Sequence, residues 1–486
     1  MGGAGADPSC PRGPPCTRVG GPGRAIPSGV GQRVSRRAAL RLSALGISAL
    51  GLSAAGSVLA RRGPALAPPL DEGLPPRAVV VVPAAGSGEA PALQPVPGTV
   101  RGTGTRWAPM AARALADLRA LDGPFPLVVD TADHRTVSAG VAGAAIAAWR
   151  PAWRHVWPRD ASFIVAALTT SGEPARAGRV LDFLARVAPA DGRWQARYLP
   201  DGSGRAPDGR GVQADSAGWV CWAVWSHTVA HTGRSRADPA GRPARRPARP
   251  QGGPNGGWAG PADVRRWWPM VATSADRMAS SLDGSGEPPP SPDYWEVHAD
   301  RVTLETVTAL LVGLRSATAL ASALGRTDAA ARWSVAAGRV AGTLREAWAP
   351  RGYPRTLPRG GADAAVGLLA AFAPDLPGLP AAVTAAAGAL ALPNGGVRPG
   401  EDWPHDDGIA WTPEVAMLAL GAARTDARAA GARLDWLDRH RAPSGALPEK
   451  VAADGSPSSV APLGWSSALV LLALQSVSAA PVVPPA

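Results

Sequence analysis

Lysine, cysteine, tyrosine and phenylalanine are all scarce in this chain of 486 residues. Lys450 is the single lysine, so nearly every cation is arginine. Of three cysteines, Cys10 and Cys16 lie at the start, and Cys221 alone remains beyond them. A disulfide framework within the body of the chain is therefore excluded. Three Tyr and four Phe stand against eighteen Trp. Indole in that excess suits either a large core or a cleft for a ligand with apolar faces. No nucleophile elbow, phosphate loop, dinucleotide fingerprint or zinc-ligand spacing is present. No cofactor and no metal are expected. His227 and His231 stand four apart without a third ligand nearby and read as structural.

The net charge of +12 is local rather than general. Residues 1–60 hold seven Arg and one Asp, and residues 234–250 hold six Arg and one Asp. These carry +6 and +5 and leave +1 for the rest, so no basic face argues for nucleic acid.

Ser35-Arg36-Arg37 followed by the apolar run 42–60 reads as a twin-arginine export signal ending near Ala60. The rival reading is a membrane anchor, but the run is weakly apolar. Export to the cell envelope or medium is expected, with no stable membrane partner beyond the export machinery. Residues 61–105 read as a Pro/Gly/Ala-rich linker with room for one strand.

Beyond it, helical periodicity dominates. Helices are expected at 108–121, 160–170, 174–188, 213–231, 261–282, 300–324, 328–348, 362–373, 380–391, 412–423, 426–441 and 462–477. Val128-Val129 and 137–146 suit a β-hairpin. Twelve helices without an intervening sheet point to an all-α, (α/α)6 toroid of six helical hairpins over 106–478. A disordered insertion is expected near 232–260 and a tail at 479–486. A monomer is expected.

In such a toroid all odd-to-even loops lie at one mouth. Those loops carry Trp157-Pro158-Arg159-Asp160, Arg193-Trp194, Tyr294-Trp295-Glu296, Tyr353-Pro354-Arg355, Arg398 to Asp407 and Pro448-Glu449-Lys450. The other loops are short turns, apart from the insertion. Chemistry gathered on long loops at one end of a rigid scaffold marks a site.

Two readings fit Asp160. It suits an N-cap for the helix that follows. Alternatively, Arg159 and Asp160 offer paired donors and acceptors to vicinal hydroxyls, with Trp157, Trp194 and Trp295 facing a sugar ring. Glycoside hydrolysis needs two carboxyls flanking one bond. Glu296, beside Tyr294 and Trp295, suits the protonated acid, and Glu449, beside Lys450, suits the ionised base. Glu401, Asp402, Asp406 and Asp407 compete, and Asp406-Asp407 is a weak calcium pair. The Asp-x-Asp-Asp acid of a terpene cyclase is not matched by the spacing of 402–407.

Trp157 to Asp160, Asp293-Tyr294-Trp295-Glu296, and Leu447-Pro448-Glu449 followed by Ala461 to Ser466 resemble the glucoamylase-type family, glycoside hydrolase family 15. The resemblance covers about 106–478. It implies an inverting, exo-acting α-glucosidase with Glu296 as general acid and Glu449 as general base. It further implies that Arg159 and Asp160 grip the terminal glucose, with Gln213 to Asp215 and Gly396-Val397-Arg398 at family positions. Val297 departs from the pattern, since a second, sugar-binding Glu often stands there. A large N-terminal β-sandwich does not fit in 61–105, and no starch-binding module is expected after the barrel. A short oligosaccharide or envelope glycan is therefore expected as substrate. A non-catalytic glycan-binding barrel is the alternative.

Overall fold

The computed structural model describes residues 68–72, 79–82, 106–125, 127–130, 135–137, 139–232, 261–405, 407–478 and 483–485. The export signal and the Arg/Pro insertion lie outside the described residues.

Twelve α-helices occur among the described residues: α1 (Ala108–Ala120), α2 (Pro158–Thr170), α3 (Pro174–Val187), α4 (Asp215–Thr232), α5 (Pro261–Ser281) and α6 (Leu304–Ala323) come first. They are followed by α7 (Thr327–Thr343), α8 (Val366–Phe372), α9 (Leu379–Ala389), α10 (Thr412–Ala422), α11 (Ala427–Arg439) and α12 (Gly464–Ser478). Two composition classes alternate along the chain. Every residue of α10 is buried, as is all of α2 from Pro158 to Thr169. By contrast, α3 buries Ala177, Val180, Leu181, Leu184 and Val187, a single stripe at helical spacing. A helix apolar all round must be enclosed, whereas a striped one can cover a core and face water. The contacts follow this rule. The helices α2, α4, α6, α8, α10 and α12 touch in that order, and α12 returns to α2. They form a closed inner ring, and the odd-numbered helices cover it. The sheath explains why α6 is apolar and long enough to cross a membrane although 78% of that window is buried in the ring.

Two ring contacts depend on glycine pairs. A Cβ on Gly218 of α4 would sit 2.0 Å from the Ala309 carbonyl of α6, and one on Gly313 of α6 would sit 2.4 Å from the Gly218 Cα. Gly367 of α8 and Gly421 of α10 repeat the device. Backbones approach this closely only where neither carries a side chain.

Inside the ring, Phe163, Trp219, Trp222, Phe372 and Trp465 pack with centroids 4.7 to 6.2 Å apart. They come from four inner helices and plug the barrel. Trp194, Trp267, Trp333 and Trp348 are also fully buried. Much of the tryptophan excess is therefore core.

Strands β1 (Val79–Val82), β2 (Leu127–Asp130) and β3 (Arg135–Val137) form an antiparallel sheet, with Val80 opposite Val129 and Val128 opposite Val137. The β2–β3 hairpin lies in the loop between α1 and α2, as expected, but β3 ends at Val137 rather than near Ile146. Gly143 explains this in part: it takes φ +83°, and a Cβ there would meet the Arg179 carbonyl at 2.0 Å. A second antiparallel sheet joins β4 (Ala410–Trp411), β5 (Lys450–Val451) and β6 (Pro457–Ser458) at the mouth. Other ends also shift. Regular α-helix in α7 stops at Thr343 and widens into a π-turn over Leu344–Trp348. The start of α6 is capped by Thr303, whose hydroxyl accepts from the Thr306 amide, rather than at 300.

Candidate active site

Residues 151–157 lead into α2 and carry Trp153 and Trp157. Val156 pairs with Tyr198 through two backbone hydrogen bonds of 3.0 and 2.8 Å, which anchors this loop to the one before α4. Trp157, not Asp160, is the N-cap residue, and it makes no side-chain cap bond. The capping reading of Asp160 therefore fails. Pro158 takes the first helical position, and Arg159 and Asp160 point from the first turn into buried space.

Arg159 donates to Asp215 at 3.0 Å and to Gln213 at 3.2 Å, and its guanidinium lies 4.9 Å from the Trp465 ring centre. Its Nε sits 3.3 Å from Asp160 Oδ1, yet neither atom has a hydrogen-bond partner. Both are buried. Burial pushes the Asp160 pKa up to about 7, against the pull of Arg159 and with help from the Glu296 and Asp215 charges. This buried ion pair sets a donor and an acceptor side by side, the pairing that a sugar hydroxyl can bridge.

Glu296 occupies the left-handed region at φ +54°, unusual for a residue with a side chain. Its carboxylate accepts from Trp157 Nε1–H on one oxygen and from Arg210 on the other, with Arg159 Nη2 at 3.9 Å. The preceding residues are clamped from the next hairpin. Arg355 bridges Asp293 at 2.9 Å and Asp363 at 2.7 Å, and lies 3.4 Å from the Trp295 ring centre. Tyr294 donates to Asp363 at 2.6 Å.

Glu449 precedes β5 and is buried. Trp153 Nε1–H reaches its Oε1 at 3.2 Å, Ser459 donates to Oε2, and Lys450 Nζ lies 3.8 Å away. Trp153 and Trp157 thus hold the two candidate glutamates from one loop, four residues apart. Arg398 lies near this mouth with its Nε buried and without a hydrogen-bond partner.

Trp194 is not brought to this cluster. Its indole N–H donates to Ser274 of α5 at 3.0 Å, facing an outer helix. The competing acids are engaged elsewhere. Glu401 and Asp402 are exposed and accept from the Ala362 and Gly361 amides at 2.7 and 2.9 Å. Asp407 accepts from the Ile409 amide at 3.0 Å, and Asp406 lies outside the described residues. His227 pairs with Thr169 at 2.8 Å in the core.

Two buried carboxyls, Glu305 and Glu414, were not among the residues singled out in the sequence. Like Asp160 and Asp215, each lies in the first turn of an inner helix. Glu305 accepts from Trp219 at 2.6 Å, and burial raises it well above the usual carboxylate range, with Asp215 and Asp293 adding to the rise. Burial lifts Glu414 to about 8. A first-turn acid normally complements the helix dipole at the surface. The sequence signal was present, but its repetition on inner helices was the part that mattered.

No family model matches the chain. A stretch of 77 residues is 34% identical to an uncharacterized glycosyl hydrolase of Methanocaldococcus jannaschii, covering 16% of this chain and 12% of that protein's length. Among solved structures, a glycosidase superposes with a TM-score of 0.56 at 20% identity, over 76% of this chain and 97% of that one. A variant of it was solved in complex with glucose. A glucoamylase of Saccharomycopsis fibuligera gives 0.56 at 13%, over 76% and 94%. A bacterial glucoamylase complexed with acarbose gives 0.54 at 15%, over 76% and 55%. At these identities the likeness establishes the fold, the (α/α)6 barrel of glucoamylases.

Proposed function

We propose that the chain is an exported, inverting exo-glycosidase that releases a terminal glucose from α-linked oligo- or polysaccharide. The observation that carries this reading is the pair Glu296 and Glu449, each held by an indole of one loop, with Glu296 beside the buried Arg159–Asp160 ion pair. Arg159 and Asp160 bind the hydroxyls of the terminal sugar. Glu296 protonates the leaving oxygen, and Glu449 takes a proton from water attacking the opposite face. Ser459 and Lys450 stand beside the Glu449 carboxyl and fix its place. The aromatic plug, Trp465 included, closes the barrel, so a glycan enters by its end and cannot thread through. That favours exo-action.

The alternative, a non-catalytic glycan-binding barrel, draws support from one contact. Arg210 occupies Glu296, and proton donation requires that it let go.

A panel of α-linked disaccharides and short glucans, assayed for released glucose, separates the two readings. Proton NMR of the first product is expected to show the β-anomer. An α-anomer would mean retention, with carboxyls about 5 Å apart rather than the roughly 6.5–9.5 Å that admits a water. For export, Arg36→Lys with Arg37→Lys is expected to hold the protein inside the cell, and undiminished secretion would rule out the twin-arginine route.

A further inference from the structure

Residues 68–72 lie far from the mouth in sequence, yet they pack onto the segment that serves Glu449. The Asp71 amide donates to the Ser459 carbonyl at 2.6 Å. The Ser459 amide donates to the Pro68 carbonyl at 3.3 Å, and the Ala461 amide to the Asp71 carbonyl at 2.9 Å. Asp71 and Val460 form a parallel bridge. The Ser458 hydroxyl also donates to the Pro68 carbonyl, and Glu72 accepts from the Ser444 amide at 3.0 Å. Leu70 covers Ala442, Ala446 and Ala461. On the opposite edge of the same segment, the Glu449 amide donates to the Val460 carbonyl at 2.8 Å. Residues 458–461 therefore run between Glu449 on one side and 68–72 on the other. Without 68–72, the amides of Ser459 and Ala461 would lose their partners at a bare edge. Ser459 takes φ +67°, a strained setting for a residue with a side chain, and its hydroxyl is the one bound to Glu449.

We propose that residues 68–72 are a positioning strap. They hold Ser459 in the left-handed conformation that aims its hydroxyl at Glu449. The proposal rests on Glu449 being the base of the glycosidase reading. It also requires that leader cleavage falls before Pro68, as it does if the leader ends near Ala60.

The test compares a chain starting at residue 61 with one starting at residue 73, on an α-linked oligosaccharide. The shorter chain is expected to lose at least tenfold in kcat with KM within about threefold. Ser459→Ala should reproduce this loss of kcat at nearly unchanged KM, and truncation on top of it should add less than twofold. Unchanged kcat in the shorter chain, or losses that multiply independently, would overturn the strap. Asp71→Pro removes one donor to Ser459 and replaces the truncation if that chain does not fold. If the longer chain turns over no glucan, the glycosidase reading fails by itself. Hydrogen exchange then decides the strap: the Glu449, Ser459 and Ala461 amides should exchange faster in the shorter chain. An unchanged Glu449 amide would refute it.

Discussion

Glu449→Gln is expected to lower kcat on α-linked oligosaccharides by a hundredfold or more, about 3 kcal/mol of barrier height. Gln keeps the shape of the side chain and its acceptor for Trp153, so glucose binding should change only a few-fold. Glu296→Gln is expected to cost as much on natural substrates but to recover partly on an aryl glycoside with an acidic phenol. Such a phenol departs without protonation. Glu449→Gln should show no such recovery, because activation of water is still missing. The asymmetry assigns acid and base, which a loss of activity alone does not. More than a tenth of the original turnover in either variant, measured with pure protein, would remove that residue from its role.

Arg355→Met is expected to destabilise the fold by about 3–5 kcal/mol, the usual cost of removing one partner from a buried ion pair. Two carboxylates are affected, since Arg355 bridges Asp293 and Asp363, both almost wholly buried. Burial already raises the Asp363 pKa while Arg355 pulls it down. Without Arg355 it rises further in the folded state. A folded pKa above the unfolded value contributes stability at low pH that is lost as pH rises. The deficit should therefore be smallest near pH 4 and full at neutral pH. Urea midpoints of both proteins at pH 4.5 and 7.5 measure this, and an equal deficit at both would contradict the ion-pair account. Turnover should fall too, since Arg355 also stacks on Trp295 next to Glu296.

The twelve helices were legible along the chain as apolar residues recurring at the 3.6-residue period, but their sorting into inner and outer layers was not, since the outer α9 is apolar nearly all round. Prolines 174, 261 and 413 mark true helix starts, whereas Pro462 precedes α12, which begins at Gly464. The gathering of ionisable residues in alternate loops was legible as well, because antiparallel hairpins send those loops to one end. The direction of a loop side chain was not. Trp194 looks in sequence like Trp157 or Trp295, but Gly192 takes φ +70° just before it, and its indole meets Ser274, eighty positions on. Glu305 and Glu414 looked like ordinary first-turn acids until ring closure buried them.

The sequence by itself therefore determined the helix order and the end that carries chemistry, since period and loop composition are local quantities. The tertiary structure alone decided which groups meet: Trp153 with Glu449, Trp157 and Arg210 with Glu296, Arg355 with two aspartates, and residues 68–72 with Ser459. Each of these is a pairing across distant loops. Hydrogen bonds and ion pairs act over a few ångströms, and only closing the ring brings those loops that close.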